Sequence, residues 1–366
     1  MKVLLCTPYN VNPLVVQSGI AIWAQNIIGY YKTLNSDVEI GVVAYDRTTY
    51  AKDNCSLLKR ARLAYVDYRR PINETKKQLA SGQYDLMHLC TSASISLLKD
   101  ILLLRMAKRK GVRTVVHFHF GRIPELARQC NWEWKLLLKV IKLADAIITM
   151  DMKSFTTLKE HCANRMYYLP NPLSQSIMQQ VEQEAASVER IQHKLSFVGH
   201  VFPTKGVYEL VEACKQIDNI KLHVFGMATP EIREKMLQLA DYGDWLVFEG
   251  EVSHRQVIHE LLSTDIFVLP TYTEGFPNVI LESMACGCAI ATTPVGAIPE
   301  MLDLDSDEPC GLCCEPKDVK GLCDNIKYYL DNPMEARQFA GRSIKRVNEM
   351  YAVQKVWGKL VGIWKS

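Results

Sequence analysis

The sequence lacks the features that mark several common protein classes. Its 43 lysines and arginines are nearly balanced by 40 acidic residues, and a net charge of +3 is too small to indicate a nucleic-acid partner. No apolar run free of charge is long enough to span a bilayer. The first run, MKVLLC, stops before Pro8, so it predicts a buried strand rather than a signal peptide.

Three sequence motifs are also missing. No two of the 19 glycines lie two positions apart, which excludes the G-x-G-x-x-G of nicotinamide-dependent oxidoreductases. The Gly358-Lys359 pair is followed by Leu360, so it is no P-loop. The twelve cysteines provide one CxxC, Cys310 to Cys313, without the second ligand pair of a zinc site. We therefore expect reduced thiols in a cytoplasmic protein.

Short apolar runs alternate with amphipathic ones along the whole chain. This alternation predicts parallel sheets with helices on both faces. The predicted strands are 3–6, 39–44, 85–89, 113–119, 145–150, 165–173, 195–199, 220–225, 245–249, 265–270 and 288–292. The predicted helices are 20–34, 72–81, 94–110, 131–143, 152–162, 206–217, 230–241, 254–263 and 277–286.

A polar stretch interrupts this alternation at residues 174–194, which we interpret as a linker with some helix. It separates two doubly wound units, residues 1–173 and 195–350. Two such units are expected to face each other across a cleft, because ligands of open α/β sheets bind beyond the carboxyl ends of the strands.

The most informative stretch is LPTYTEGFPNVILESMACG, which reads as the end of a strand, a turn and a helix. Pro277 suits the first helical position, and Gly275 allows the backbone to approach a ligand closely. The first N–H groups of the helix, from Asn278 onward, would carry the positive end of the helix dipole. This arrangement predicts a site for a phosphate or a diphosphate.

Two carboxylates flank that turn. Glu274 precedes the helix and Glu282 lies inside it. Carboxylates accept hydrogen bonds from pairs of hydroxyls, so a ligand with hydroxyls at both ends and phosphates between, a nucleotide sugar, would fit. In the alternative interpretation, Glu274 stabilises the helix terminus and Glu282 lies on a solvated face. The spacing alone leaves both open.

The segment EGFPNVILE resembles the E-x7-E motif of family 4 glycosyltransferases of the GT-B fold. SFVGHVFPTKGVYELVEA and PVGAIPE agree with the same family, and the strong resemblance covers residues 195–325. It implies an α/β fold with two Rossmann-like domains. Residues 1–173 would bind the acceptor, residues 195–350 would bind the donor, and a C-terminal helix, 351–366, would cross back to the first domain.

The resemblance also implies roles for individual residues of the second domain. Glu282 should hold the ribose hydroxyls, Glu274 should contact the donor sugar, and Lys205 should bind the diphosphate. The turn around the helix start should approach the sugar and diphosphate through its backbone, at Gly275, Phe276, Pro277, Asn278 and Val279. His200 stands where the family usually has an arginine, and it lacks the bidentate guanidinium fork. Arg122 is a candidate replacement.

The first domain supplies further candidates. His117 and His119 lie two apart on a predicted strand and so share a face. The family often has a histidine close to the transferring sugar, and His119 matches it, whereas His117 fits a buried structural histidine equally well. Gly19 resembles the glycine loop that faces the donor phosphates, and Asn10 and Gln17 are candidates for the acceptor side.

The resemblance therefore predicts a retaining transferase, with His119 and Glu274 as catalytic residues. It would move a sugar from a UDP- or GDP-sugar to a saccharide or lipid-linked acceptor, in surface polysaccharide or glycolipid synthesis. The leaving phosphate would take the acceptor's proton, with no cofactor and no metal. The alternatives are a GT-B sugar-nucleotide epimerase or hydrolase, and a nucleotide-sugar sensor without activity. Three aspartates, Asp303, Asp305 and Asp307, also match a metal-binding D-x-D pattern. We favour a plain acidic loop there, because such short matches often arise by chance.

Residues 97–113 mix leucines with lysines and arginines. Such a helix can lie on an anionic membrane, which would place the protein peripherally at the inner membrane surface. The competing interpretation is a helix that covers the sheet and has a solvated basic end.

Overall fold

The computed structural model describes residues 1–9, 19–45, 57–162 and 165–366. The chain divides into two compact units. The first comprises Met1–Pro172 together with Val356–Ser366, and the second comprises Leu173–Lys355. Each unit contains one six-stranded sheet in which all the paired strands run parallel. The predicted α/β fold with two doubly wound units is confirmed.

The first unit alternates strands and helices in the predicted way. Its strands are β1 (Lys2–Thr7), β2 (Glu39–Ala44), β3 (Leu86–Thr91), β4 (Arg113–Phe118), β5 (Ala146–Thr149) and β6 (Arg165–Tyr168). Its helices before the second unit are α1 (Gly19–Tyr31), α2 (Leu57–Ala80), α3 (Ser96–Arg109), α4 (Ile123–Gln129), α5 (Trp132–Leu143) and α6 (Met152–Lys159).

The first sheet has the strand order β2-β1-β3-β4-β5-β6 and is covered on both faces. Alternate residues of each strand point to opposite faces. Leu4, Met87 and Val116 belong to the core cluster that also contains the inner residues of α3 and α5. The intervening residues, such as His88 and His117, contact α1 through Trp23. The buried sheet explains why these strands read as nearly continuous apolar runs.

The second unit has the same construction. Its strands are β7 (Ile191–Val198), β8 (Lys221–Phe225), β9 (Leu246–Gly250), β10 (Thr264–Leu269), β11 (Ala289–Thr292) and β12 (Leu312–Cys313). Its helices are α7 (Gln175–Glu184), α8 (Val207–Cys214), α9 (Pro230–Leu239), α10 (His254–Ser263), α11 (Asn278–Ala285), α12 (Ile298–Met301), α13 (Val319–Asp331) and α14 (Pro333–Arg346). The last helix of the chain is α15 (Val353–Lys365).

The order of the second sheet locates its ligand-binding edge. The strands lie in the order β12-β11-β10-β7-β8-β9. Counted from β7, this is the 3-2-1-4-5-6 order of a Rossmann fold, in which the connections reverse direction between β7 and β10. Ligands of such sheets bind beyond the carboxyl ends of the strands at this switch point, so the loops after β7 and β10 are the candidates.

The C-terminal helix packs in the first unit. Trp364 of α15 is fully buried, and its indole N–H donates a 2.9 Å hydrogen bond to Nδ1 of His88 on β3. The Arg113 guanidinium donates to the carbonyls of Trp364 and Ile363, at 2.9 and 3.3 Å. These contacts confirm the expectation that the last helix belongs with the first unit.

Two segments differ from the sequence prediction. Residues 174–194 contain α7 and the start of β7, and Glu184 of α7 accepts hydrogen bonds from Arg255 and His259 of α10. This segment is therefore a packed part of the second unit. Helix α2 begins at Leu57 rather than near residue 72 and continues through Pro71. The predicted helix, 72–81, covers only the part after that proline, which removes one backbone donor and usually breaks a helix.

All the cysteines among the described residues are free thiols. None of the described helices combines the length and the hydropathy needed to cross a bilayer.

We expect Trp364→Ala to destabilise the first unit by about 3–5 kcal/mol, because it removes a fully buried aromatic ring and a buried hydrogen bond. Denaturant unfolding of the full chain, followed by circular dichroism, measures this loss. The control is Trp132→Ala, since Trp132 is 55% exposed and its replacement should change the free energy of unfolding by about 0.5 kcal/mol or less. Equal stability of both variants would contradict the anchoring of α15.

Candidate functional site

The two loops at the switch point of the second sheet are joined directly. The loop after β7 forms a short 3-10 turn, Pro203–Lys205, before α8 begins. The Thr204 carbonyl accepts hydrogen bonds from the backbone N–H of Tyr272, at 2.9 Å, and from the Thr271 hydroxyl, at 3.4 Å. Both donors belong to the loop after β10. The backbone therefore fixes the distance between the loop that carries Lys205 and the loop that carries Glu274.

Two glycines are required by the close packing of these loops. Gly206 has φ +69°, and a Cβ atom there would lie 2.0 Å from the Pro270 carbonyl oxygen. Gly296 has φ +58°, and its Cβ would lie 2.4 Å from the Glu274 carbonyl oxygen. Any other residue would have to push the backbone of the loop after β10 away. Sequence reasoning did not single out Gly296, although it lies within the PVGAIPE segment.

Lys205 and Glu274, which the sequence predicted separately, form an ion pair. The Lys205 side chain is 26% exposed and the Glu274 side chain 14% exposed. Since both groups are largely withdrawn from water, their attraction is screened less than that of a surface pair. The structure thus places a cation and a carboxylate together beside the turn that leads into α11.

Helix α11 starts one residue later than predicted. Pro277 occupies the position before the first helical residue, and Asn278 opens the helix. The Phe276 side chain is buried and packs against the ring of Tyr351, with centroids 6.0 Å apart. Phe276 can therefore offer only its backbone to a ligand. The N-terminal end of α11 follows shortly after Glu274 and Gly275, and the Ile280 N–H donates to the Pro277 carbonyl at 3.1 Å.

The second predicted carboxylate has a partner that the sequence analysis missed. Oε1 of Glu282 lies 2.9 Å from Nε2 of His254, the first residue of α10. Glu282 is 8% exposed, and a capping box formed by Ser253 and Gln256 fixes the start of α10 beside it. The hydrogen bond to the carboxylate raises the pKa of His254, against the opposing effect of burial. No sequence signal connects positions 254 and 282.

His200, which stands where the family usually has an arginine, contacts an aromatic ring. His200 is exposed, and its ring stacks on Phe202 with centroids 5.8 Å apart. The suggested substitute, Arg122 of the first unit, already uses both terminal nitrogens to bind the carboxylate of Glu133. The Arg122 guanidinium is therefore already paired within the first unit.

In the first unit, His119 directly follows β4. Its backbone N–H donates to the Thr91 carbonyl at 3.0 Å, and its ring lies 3.8 Å from that of His117 and 4.9 Å from that of Trp23. Burial, and to a lesser degree the nearby His88, lowers the pKa of His119 to about 3. At neutral pH it is an uncharged imidazole. His117 is completely buried, but neither of its ring nitrogens has a hydrogen-bond partner among the described residues, so it is not the histidine satisfied by backbone groups that the structural interpretation expects.

Gly19 is the first residue of α1, with open space where a Cβ would lie. Within the part of the chain that the structure describes, no neighbour packs closely enough to require glycine there. Asn10 and Gln17 lie outside the described residues.

One buried group in the described part of the chain has metal-ligand chemistry, namely His88, Cys90 and His117, whose ligand atoms lie within 4.8 Å of one another. The group does not fit a metal. Trp364 donates its N–H to Nδ1 of His88, so the neutral ring carries its proton on Nε2 and has no lone pair left for an ion. Burial also raises the pKa of the Cys90 thiol, which disfavours a thiolate.

The D-x-D candidate behaves as an acidic loop. Asp303 pairs with Arg346 of α14 at 2.7 Å, while Asp305 and Asp307 are exposed. The ion pair gives Asp303 a structural partner within the second unit.

We expect the pKa of His254 to lie above the ordinary value of 6.5, because Glu282 stabilises the protonated ring. The stabilisation is complete below about pH 6.5, where unfolded histidine is also protonated, and is lost as the pH rises through the higher folded-state pKa. An NMR titration of the histidine ring protons measures this shift. In Glu282→Gln the pKa should fall back, and an unchanged titration would show that the pair does not form.

Most of the second unit is similar to a known protein family. Residues 182–346 match the family described as glycosyl transferases group 1. The capsular polysaccharide biosynthesis glycosyltransferase CapM of Staphylococcus aureus is 26% identical over 179 residues, which cover 47% of this chain and 46% of that protein. The chain thus matches less than half the length of this relative.

Solved structures match the whole chain. The sucrose-phosphate synthase of Thermosynechococcus elongatus has a TM-score of 0.76 and 18% identity, with 100% of this chain and 98% of that chain covered. Alr3699/HepE of Anabaena, solved in complex with UDP, has a TM-score of 0.70 and 15% identity, with 100% of both chains covered. At these identities the likeness shows the fold. The chain therefore has the GT-B fold, and its residues 182–346 are similar to the glycosyl transferases group 1 family.

Proposed function

We propose that this protein is a retaining, family 4 glycosyltransferase that moves a sugar from a UDP- or GDP-sugar to an acceptor hydroxyl. The observation that carries the proposal is the Lys205–Glu274 pair at the switch point, immediately before the start of α11. A cation, a helix N-terminus and a carboxylate together match the diphosphate and the sugar of such a donor. Each of these three features alone would be common in an α/β protein.

The donor's diphosphate would bind Lys205 and the first N–H groups of α11. Its two negative charges suit the positive end of the helix dipole, and the ammonium adds a mobile point charge. Without donor, Lys205 and Glu274 neutralise each other. When the diphosphate binds the ammonium, the Glu274 carboxylate becomes available to accept hydrogen bonds from the sugar hydroxyls.

Glu282 would hold the ribose. One of its oxygens is occupied by His254, and the other remains to accept from the ribose hydroxyls. His254 is a positioning residue in this arrangement, because it fixes the orientation of the carboxylate without touching the reacting atoms.

The chemistry would depend on charge stabilisation rather than on a protein nucleophile. As the bond between the sugar and the diphosphate breaks, charge develops on the leaving phosphate, where Lys205 and α11 are already in place. In a retaining reaction on the front face, the leaving phosphate accepts the acceptor's proton. His119 stays uncharged at neutral pH, so it would act through a neutral hydrogen bond near the sugar.

The matched proteins support the class of substrate. CapM is named for capsular polysaccharide biosynthesis, and HepE was solved with UDP and with UDP-glucose. We accordingly propose a nucleotide-sugar donor, a saccharide or lipid-linked acceptor, and a role in surface polysaccharide or glycolipid synthesis at the cytoplasmic side of a membrane. We propose also that the reaction needs no metal.

Product analysis tests the proposal directly. The full chain is incubated with UDP- and GDP-sugars, with and without a saccharide acceptor, and the products are separated by chromatography and identified by mass spectrometry and NMR. A glycosylated acceptor with the donor's anomeric configuration supports the proposal. Free sugar alone indicates a hydrolase, an isomeric sugar indicates an epimerase, and binding without turnover indicates a sensor; each of these outcomes would overturn it.

We expect Glu282→Gln to weaken donor binding by roughly tenfold or more, because a hydrogen bond to a charged group contributes about 1.5–3 kcal/mol. Isothermal titration of the preferred donor and of its free nucleoside diphosphate measures the affinity. The matched control is Glu231→Gln on the exposed face of α9, which should bind as the wild type does. Unchanged affinity in Glu282→Gln would exclude the ribose contact.

We expect Glu274→Gln to lower kcat for transfer by at least about tenfold without weakening the binding of the free nucleoside diphosphate, because the removed carboxylate competes with the diphosphate for Lys205. The lost carboxylate contacts the sugar, which the free nucleotide does not contain. Steady-state kinetics, run with and without EDTA, check this prediction. Activity that disappears with EDTA would contradict the metal-free part of the proposal.

A further inference from the structure

The helices α3 and α5 carry exposed apolar side chains on the face turned away from the sheet. Their inner residues, such as Leu103 and Leu137, are fully buried in the core of the first unit. The outer residues Leu98 and Leu102 are nevertheless 51% and 48% exposed. Helix α3 therefore covers the sheet, as one interpretation of residues 97–113 predicted. It also presents leucines to solvent.

The exposed apolar side chains lie along the first half of α3 and at the start of α5. Ile95 precedes α3 and Trp132 opens α5, and each is 55% exposed. The backbone N–H of Ser94 donates a 2.7 Å hydrogen bond to Glu133, which brings these two helix starts together. The apolar patch, defined as Ile95, Leu98, Leu102 and Trp132, is thus one feature rather than four scattered residues. Exposed patches of large apolar residues mark interaction sites.

The exposed charges on α3 and α5 have one sign. Their exposed charged residues are all basic: Arg105, Lys108, Arg109, Lys135, Lys139 and Lys142. The acidic residues of the two helices are buried and already paired, Asp100 with Lys99 and Glu133 with Arg122. No exposed carboxylate on α3 or α5 offsets the cations, although the chain as a whole is almost neutral.

We propose that this face of α3 and α5 binds an anionic phospholipid bilayer, with the apolar patch inserted among the headgroups and acyl chains. The basic side chains would contact the lipid phosphates, and each contributes through its attraction to a negative surface. Trp132 suits this boundary, because indole has an apolar body and one polar N–H. A protein partner would need acidic groups arranged over the whole face, whereas a bilayer supplies them without a specific pattern.

The apolar patch lies at the carboxyl ends of the first sheet's strands, the edge at which His119 also lies. If the acceptor is lipid-linked, docking through this face would bring its membrane anchor near that edge. The lipid-binding surface does not depend on the transfer reaction, so the two proposals can fail separately.

The test is co-sedimentation of the full chain with vesicles, either pure phosphatidylcholine or phosphatidylcholine mixed with phosphatidylglycerol. We expect binding to the mixed vesicles only, and weaker binding as the salt concentration rises. Each basic residue near an anionic surface contributes about 1 kcal/mol, so Lys108→Gln with Arg109→Gln should reduce partitioning by roughly tenfold or more. Leu98→Ser with Leu102→Ser should reduce it at every salt concentration.

The matched controls lie on the second unit. Lys320→Gln with Lys327→Gln removes two exposed charges from α13, and Met334→Ser removes an exposed apolar side chain from α14. Both variants should bind vesicles as the wild type does. Circular dichroism confirms that all variants are folded, and the emission of Trp132, isolated by comparison with Trp132→Phe, should shift to the blue on mixed vesicles.

Equal binding by the wild type and the α3 variants would overturn the proposal. So would an absence of vesicle binding together with a dimer, seen by analytical ultracentrifugation, that Leu98→Ser with Leu102→Ser dissociates. In that case the apolar patch would bind a second copy of the chain.

Discussion

The hydrogen bonds accepted by the Thr204 carbonyl hold the candidate donor site together. They tie the loop after β7 to the loop after β10, two strands that are neighbours in the sheet but about 70 residues apart in the chain. Gly206 permits this approach, because its missing Cβ leaves room for the Pro270 carbonyl. The position of the Lys205 ammonium beside Glu274 follows from that backbone contact rather than from the attraction of the two charges alone.

The interior of the first unit contains polar rings on one face of its sheet. Its sheet is apolar toward α3 and α5, whereas its other face buries the imidazoles of His88 and His117 against Trp23 of α1. Trp364 satisfies one nitrogen of His88 and in doing so fixes its tautomer. Burial keeps these imidazoles uncharged, so the interior tolerates them without counterions. The last helix of the chain is therefore part of the first unit's core.

The strand pattern of both units could be predicted from the sequence, because buried parallel strands are short apolar runs between amphipathic helices. The elements between residue 292 and the C-terminal helix were missed. Strand β12 has only two residues, and α14 follows α13 after a single residue, Asn332, so no long loop separates their patterns. The linker at 174–194 looked polar because α7 is amphipathic and buries only Ile177 among its own residues.

The candidate site was predictable in part. The motif around Glu274 and the resemblance of the Lys205 segment identified both residues, but their direct pairing depends on tertiary structure. His254 could not be found, because nothing local distinguishes a histidine at a helix start that faces a carboxylate 28 positions away. The exposure of Leu98 and Leu102 was equally invisible, since a leucine-rich helix reads as buried until its neighbours are known.

The pairing of Lys205 with Glu274 has a consequence for turnover under the proposed reaction. When a complete donor binds, its diphosphate takes the Lys205 ammonium away from Glu274. The sugar hydroxyls then donate hydrogen bonds to the Glu274 carboxylate in place of the ammonium. Once the sugar has been transferred, the remaining nucleotide offers no such replacement, and the carboxylate competes with the diphosphate for the same cation. The protein would therefore retain its substrate better than its spent product, which favours release of the nucleotide and protects the enzyme from inhibition as that product accumulates.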